Sequence, residues 1–402
     1  MQPIRLQIMD YDVVIIGAGP SGTAAAHRLV THGLGVLLVD RVAFPRPKPC
    51  AGGLTLKSLN LLPYSIAPVL QRSAASMTIG LHTEKGEFES QFSNGDTICT
   101  FAVREAFDQL NFEKATALGA DFSIAKKITK IDVSETGVTV HADGKTIRSG
   151  YLIGADGANG VVRRICSPPA PFFRGFALEG IVPYGTDCPE PRAEIYFGVV
   201  DHGYGWLFPK GDHFNVGIYS CDSRVSLSKS RLRFYCRDRL GTDRIEHMVG
   251  YPIGFGGDRY RPRIGRVVLV GDAGGFAEPL LGEGLYNALK TGQEAAQSIL
   301  DIELAGRPPQ QFAAQFDRRI RHIRTDVRRC RRLAFRVFYP NLGRAGPRAL
   351  DLPIAKPALL NGFAAGKTMR EITNTFLWSA LYKPARPRSL VEFEELRPNL
   401  AA

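Results

Sequence analysis

Tyr11-Asp-Val-Val-Ile-Ile16 runs without a break into Gly17-Ala-Gly19-Pro20-Ser21-Gly22. The first six residues read as a short buried strand, and the spacing predicts a helix over 23–32, rich in alanine. A second strand, Gly35 to Val39, ends in Asp40. This is G-x-G-x-x-G between a strand and a helix, with an acid about twenty residues further on, the context a dinucleotide fingerprint requires. Each glycine has its own reason: Gly17 for the tight turn, Gly19 for close approach to a pyrophosphate, Gly22 for helix–strand packing. The pyrophosphate would rest on the helix N-terminus, where unpaired N–H groups and the dipole favour negative charge. Asp40 is placed to bond both ribose hydroxyls. Pro20, Ser21 and Arg41 join the same cofactor set.

The rest of the chain agrees with an enzyme that binds such a ligand. At 402 residues, 44% hydrophobic and 22% charged, it can bury a sizeable core. No stretch approaches the roughly 18 uninterrupted apolar residues that span a bilayer. The start of the chain lacks the apolar segment of a secretion signal. Seven cysteines, at 50, 99, 166, 188, 221, 236 and 330, form no C-x-x-C and no metal-ligand spacing. Reduced thiols and a cytoplasmic setting are expected, with no metal. The net charge of +12 favours an anionic partner. Nucleic acid is not that partner, since no zinc finger, RNP signature or recognition helix is evident.

Two further segments extend the fingerprint. Tyr151-Leu-Ile-Gly154-Ala-Asp156-Gly157 resembles the "DG" motif of flavoprotein hydroxylases, and Leu269-Val-Gly271-Asp272-Ala-Gly274 resembles their "GD" motif. The resemblance implies FAD. It implies that Asp272 holds a ribityl hydroxyl and that Pro279-Leu-Leu-Gly282-Glu-Gly284-Leu285 covers the flavin and opens a helix toward it. Asp156 and Gly271 enter the cofactor set on the same ground. Val103-Arg104-Glu-Ala-Phe107-Asp108 resembles the segment whose Arg approaches the FAD pyrophosphate and ribose; a solvated Arg on a surface helix is the alternative, but the placement between the fingerprint and the DG motif puts Arg104 in the cofactor set. A second G-x-G-x-x-G for a nicotinamide cofactor is absent, as is the CxxxxC pair of disulfide reductases.

Two motifs point to the chemistry. Arg46-Pro-Lys48-Pro-Cys50-Ala51-Gly52-Gly53 is stiffened by proline and ends in glycines that let backbone pass close to a planar ring. In Tyr204-Gly-Trp206-Leu-Phe208-Pro209-Lys210, three aromatic rings alternate and would share one face of a strand. Both motifs resemble those of geranylgeranyl reductases. That family implies reduction of isolated C=C bonds in a prenyl chain, with hydride from N5 of the reduced flavin. Cys50, Tyr204 and Trp206 are the candidate catalytic residues, and Tyr204, Trp206 and Phe208 the candidate substrate wall. Cys50, Ala51 and Gly52 are also expected beside FAD. A small buried cysteine and an aromatic core face are the structural alternatives.

The expected class is α/β (α+β overall). It comprises a Rossmann-like FAD-binding domain, an inserted, mostly antiparallel β-sheet substrate domain, and a helical C-terminal region. The FAD-binding domain is drawn from 8–75, 96–170 and 262–315, and the substrate domain from 76–95 and 171–261. Met77 to Phe92 reads as a hairpin, with Ala193 to Val199 and His213 to Ser220 as strands flanking the aromatic one. Residues 316–402 form the C-terminal region. In it, Phe316, Ile320, Ile323, Val327, Cys330, Ala334 and Val337 make one apolar stripe on an Arg-rich helix that Pro340 should stop. Residues 341–380 look helical, and 383–388 reads as an exposed tail. The basic face allows peripheral contact with an anionic membrane. The substrate expectation is an isoprenoid or other lipophilic small molecule, and the electron donor NAD(P)H or ferredoxin. The competing expectation is an FAD-dependent monooxygenase on an aromatic or polyketide substrate, or a halogenase. Halogenases carry W-x-W-x-I-P where this chain has Tyr204-Gly-Trp206-Leu-Phe208-Pro209, which weighs against halogenation.

Overall fold

The computed structural model describes residues 9–84, 86–93, 97–167, 170–185 and 191–342, with short pieces at 362, 367–368 and 371–372. The tail at 383–388 and most of 343–380 lie outside the described residues. Two large sheets carry the fold. In the first, Tyr11–Ile16 is central and pairs in parallel with Val36–Asp40 and Lys145–Gly154; the latter pairs in parallel with Val267–Leu269. Val13, Val14 and Ile15 are fully buried, as befits a strand covered on both faces. The fingerprint helix spans Pro20–Val30, three residues earlier than its alanine pattern suggests. Proline suits a first helical turn, where its fixed φ helps and its missing N–H costs nothing. The long helix Leu285–Leu304 packs across it.

Two glycines of the fingerprint, Gly17 and Gly22, are required by geometry within the protein. Gly17 has φ +104°, and a Cβ on Gly22 would lie 1.9 Å from the Gly17 carbonyl oxygen. Helix and strand can therefore touch only without a side chain there.

The second sheet has seven strands, in the order Glu246–Gly256, Phe173–Pro183, His213–Ser220, Gly203–Pro209, Ala193–Phe197, Ser76–Thr83 and Gly86–Ser93. All its pairings are antiparallel except Ala193–Phe197 with Ser76–Thr83. Alternation gives it two faces. Leu178, Tyr196, Leu207, Val216 and Ile218 pack on Leu232, Tyr235 and Cys236 of the helix Lys229–Leu240. The other face forms two cross-strand rows. One is Glu179–Gly217–Trp206–Ile195–Ile79, and the next is Ala177–Tyr219–Tyr204–Phe197–Leu81. The chain is thus a mixed α/β protein with a Rossmann-like sheet and a mostly antiparallel second sheet.

The Arg-rich segment departs from the single helix expected. Phe312–Arg319 ends at Ile320, a new helix runs Arg321–Leu333, and 334–338 form a π-turn that continues helically to 342. Pro340 does not stop it, because the wider i→i+5 turn releases a carbonyl that an α-helix would have paired with the missing N–H. The same turn rotates the apolar stripe. Phe316 to Ala334 are buried as the pattern requires, but Val337 is 54% exposed and Phe338 turns inward in its place. Several arginines are spent on internal pairs: Arg319 with Glu294 and Asp301, Arg324 with Asp317, Arg331 with Asp258. Among the described residues no helix is long and apolar enough to cross a membrane.

Candidate functional site

A cavity of about 1870 Å³ lies between the two sheets and under the π-turn. That exceeds the roughly 300–1,000 Å³ of an ordinary ligand pocket and leaves room for a dinucleotide and a second molecule. Its polar end is built from the fingerprint. Gly17, Gly19, Pro20, Ser21, Asp40 and Arg41 line it. Asp40 accepts the N–H of Ala18 at 2.9 Å and that of Arg41 at 2.8 Å. Nothing fills the space before Gly19: the nearest atom to a Cβ there would be Nη2 of Arg46, 3.5 Å away. Nε of Arg46 is buried without a hydrogen-bond partner, although Asp40 and Asp108 are within ion-pair range. An open glycine turn facing an under-satisfied guanidinium fits a pyrophosphate.

Arg104 also lines the cavity, but its guanidinium is forked onto Asp108 at 2.8 and 3.0 Å. It is a buried strut beside Cys50, not a solvated surface residue. Arg46 did not enter the cofactor set read from the sequence, because its place in the Pro-rich loop gave no signal of its direction.

Two half-buried acids follow. Asp156 accepts the Val162 N–H through Oδ2 while Oδ1 has no partner, and burial pushes its carboxyl up to about 6. Asp272 accepts only a long 3.3 Å bond from Gly254, and burial raises it too. Under-satisfied acceptors of this kind suit ligand hydroxyls. The helix Leu285–Leu304 starts at Gly284 with no side-chain cap, and Gly282, Gly284 and Leu285 line the cavity. Its first-turn N–H groups are left for a ligand. The residues present therefore fit FAD.

Three of the expected cofactor residues stand behind the lining. Gly22 packs on Gly17, Gly271 donates its N–H to Thr291, and the Pro279 carbonyl accepts from Tyr219. That last bond belongs to a clamp. Tyr219, Tyr339 and Tyr204 donate to the successive carbonyls of Pro279, Leu280 and Leu281 at 2.7, 2.6 and 2.5 Å. The carboxylate of Glu278 accepts the N–H groups of Leu280 and Leu281. The loop leading to the uncapped helix is thereby fixed at five backbone atoms. Tyr204 has committed its only proton, and burial raises its pKa further, which argues against it as a proton donor.

At the middle of the cavity sits the loop 46–52, which has no regular secondary structure. Cys50 donates its N–H to Glu179 at 2.7 Å, and Lys210 donates to the carbonyls of Ala51 and Ala102. Gly52, with φ +66°, is needed for a nearer reason than a planar ring: a Cβ would lie 2.1 Å from the Ala102 oxygen. Nζ of Lys48 lies 3.2 Å from the Tyr251 ring centroid. Burial pushes Lys48 and Lys210 down to about 8. Tyr204, Trp206 and Phe208 all line the cavity, and it becomes apolar beyond them, with Leu280, Leu333, Phe338 and Leu342 opposite. Glu179 and Asn215 escaped the sequence reading, yet each is a polar residue set within an apolar strand run, which was a usable signal.

Comparison with known proteins places this cavity. An FAD binding domain model matches residues 10–190. An uncharacterised protein of Methanosarcina barkeri is 34% identical over 350 residues, 84% of this chain and 86% of that protein. A digeranylgeranylglycerophospholipid reductase of Methanothermobacter thermautotrophicus is 30% identical over 334 residues, 78% of this chain and 84% of that protein. Among solved structures, a geranylgeranyl bacteriochlorophyll reductase-like protein of Thermoplasma acidophilum superposes with TM-score 0.74 at 20% identity, over 91% of this chain and 95% of that one. A flavin-dependent halogenase superposes with TM-score 0.65 at 20% identity, over 93% of this chain and 78% of that one. At such identities the two structures speak for the fold alone. The reductase relative, matched over most of both chains, speaks for more: this chain belongs to the geranylgeranyl reductase family of FAD-dependent oxidoreductases.

Proposed function

We propose that the enzyme reduces isolated C=C bonds in the prenyl chain of a lipophilic substrate. The observation that carries this reading is the continuity of one cavity, from the phosphate-facing Gly19 turn, past Cys50, to an apolar end walled by aromatic rings. Bound and reduced, FAD would supply the hydride that an isolated alkene needs. The chain's own residues do the rest. Gly19 and Arg46 would hold the pyrophosphate, Asp40 the ribose and Asp272 a ribityl hydroxyl. Trp206, Phe208 and Phe197 exclude water, and their faces tolerate the cationic character that an unactivated alkene develops. The second alkene carbon needs a proton, and the Cys50 thiol is the group on the lining best suited to give it. The exposed Arg329 at the cavity wall suits an anionic headgroup, on a free diphosphate or a lipid surface. NAD(P)H or ferredoxin serves as reductant.

The reading is tested by product analysis. Anaerobic turnover with geranylgeranyl diphosphate or a digeranylgeranyl lipid should yield chains heavier by one H₂ per bond reduced. Unchanged chains across both substrates would remove the proposal. The monooxygenase reading shares the fold and the cofactor residues, and oxygen-dependent hydroxylation of an aromatic compound with no alkene reduced anaerobically would favour it.

A further inference from the structure

The Cys50 loop and the aromatic strand lie far apart in sequence, and something must hold them in register. The row Glu179–Gly217–Trp206 crosses three neighbouring strands on the cavity face. Gly217 leaves its place in the row empty, and the Trp206 ring fills that space. Two residues along the Gly217 strand, Asn215 accepts the indole N–H of Trp206 at 2.7 Å. An indole nitrogen only donates, so the Asn215 oxygen must face it and the amide NH₂ must face away. The Asn215 amide lies near enough to the carboxylate of Glu179 to favour its charged form, and that carboxylate accepts the Cys50 N–H at 2.7 Å. Two hydrogen bonds anchor the series at its ends, Trp206 to Asn215 and Cys50 to Glu179.

Keeping a carboxylate here is costly unless its charge is answered. Lys48, on the Cys50 loop, and Lys210, at the end of the aromatic strand, both favour its charged form, while burial opposes it. Lys210 also ties the two elements directly through the Ala51 carbonyl. An apolar residue would fill the position on Phe173–Pro183 more cheaply, and the rest of that face could pack it. The Cys50 hydrogen bond and the polar contact with Asn215 are what such a residue would forfeit.

We propose that Glu179, acting with Asn215, is a positioning residue that registers the Cys50 thiol against the Trp206 wall, and so fixes which bond of a chain in the cavity meets the reacting atoms. The inference rests on the reading of this cavity as the prenyl site. Its test needs no prenyl substrate, so the two fail separately.

The FAD-loaded protein is made in a Trp378→Phe background, which leaves Trp206 as the only tryptophan of the two in the chain. Two quantities are read: the rate of Cys50 alkylation by iodoacetamide, located by peptide mass, and the emission of Trp206. Glu179→Leu should bind FAD, change the Cys50 rate by about tenfold, the worth of one hydrogen bond to a charged group, and shift the emission. Glu179→Gln keeps a carbonyl for the Cys50 N–H and should stay much closer to the parent on both. Asn215→Ala, a smaller change in case the leucine variant does not fold, should shift the emission and alter the Cys50 rate in the same direction. Parental values of both quantities in Glu179→Leu or in Asn215→Ala would overturn the proposal. So would a Glu179→Gln protein as altered as Glu179→Leu, since charge and not registry would then be the cause.

Discussion

The indole of Trp206 occupies the space that a side chain on Gly217 would need: a Cβ there would lie 2.1 Å from Cζ2 of the ring. The two are direct partners across the sheet. Gly217→Ala should therefore push the indole into the cavity. Overpacking of this sort costs about 1–3 kcal/mol. A lowered thermal midpoint with FAD still bound, together with a preference for shorter or slimmer chains, is the expected outcome. Unchanged stability and selectivity would mean that the ring has somewhere else to go.

Two fingerprint glycines should respond differently to substitution. Beside Gly19 the space is open apart from Arg46, so Gly19→Val should fold and fail to hold FAD. At Gly22 the Gly17 carbonyl stands in the way, so Gly22→Ala should lose stability even in cofactor-stripped protein, again by about 1–3 kcal/mol. Flavin content and unfolding of the stripped variants separate the two. Stoichiometric FAD in Gly19→Val would contradict the pyrophosphate assignment.

Much of this was legible in the sequence because local pattern and long-range geometry coincide there. Tyr11 to Asp40 declares its strand, turn, helix and acid within thirty residues, and Tyr204, Trp206 and Phe208 share a face by alternation alone. Beyond Glu179 and Asn215, what escaped has no local mark. Arg46 faces Gly19 only because the loop after Asp40 doubles back. Tyr219 and Tyr339 meet the Pro279 and Leu280 carbonyls from two other elements, and Tyr339 is aimed there by the π-turn just before it, which a regular helical period does not reveal. The stripe through Val337 failed for that same reason: one extra residue per turn moves the next apolar position to Phe338.

Exposed arginines at 318, 321, 329, 332 and 336 remain on the C-terminal helices after the internal ion pairs are formed. If they meet an anionic surface, that attraction should be screened. The Debye length falls from about 10 Å at 0.1 M to about 3 Å at 1 M salt. Flotation with vesicles containing phosphatidylglycerol should show binding at low salt that is lost at high salt. Binding indifferent to salt would point to apolar insertion, and no binding at either salt would restrict these residues to soluble anions.

Cys50 is held by its backbone N–H and by the neighbouring Ala51 carbonyl, while its sulfur accepts only a long 3.5 Å bond from the Gly52 N–H, beside Arg104. Cys50→Ala should leave the loop in place, retain FAD and still be photoreduced. General acid catalysis contributes about 10²–10⁴-fold, so a fall of at least about tenfold in alkene reduction is expected if the thiol gives the proton. A parental rate would leave Cys50 with a packing role.

The most direct test of the central claim is made without oxygen. The flavoprotein is photoreduced, mixed with geranylgeranyl diphosphate, and followed by flavin absorbance. The account predicts that the flavin reoxidises in the absence of oxygen, with one double bond lost from the chain for each flavin reoxidised. A reduced flavin that persists beside every prenyl substrate, and reoxidises only when oxygen is admitted with hydroxylation of an aromatic compound, would contradict it.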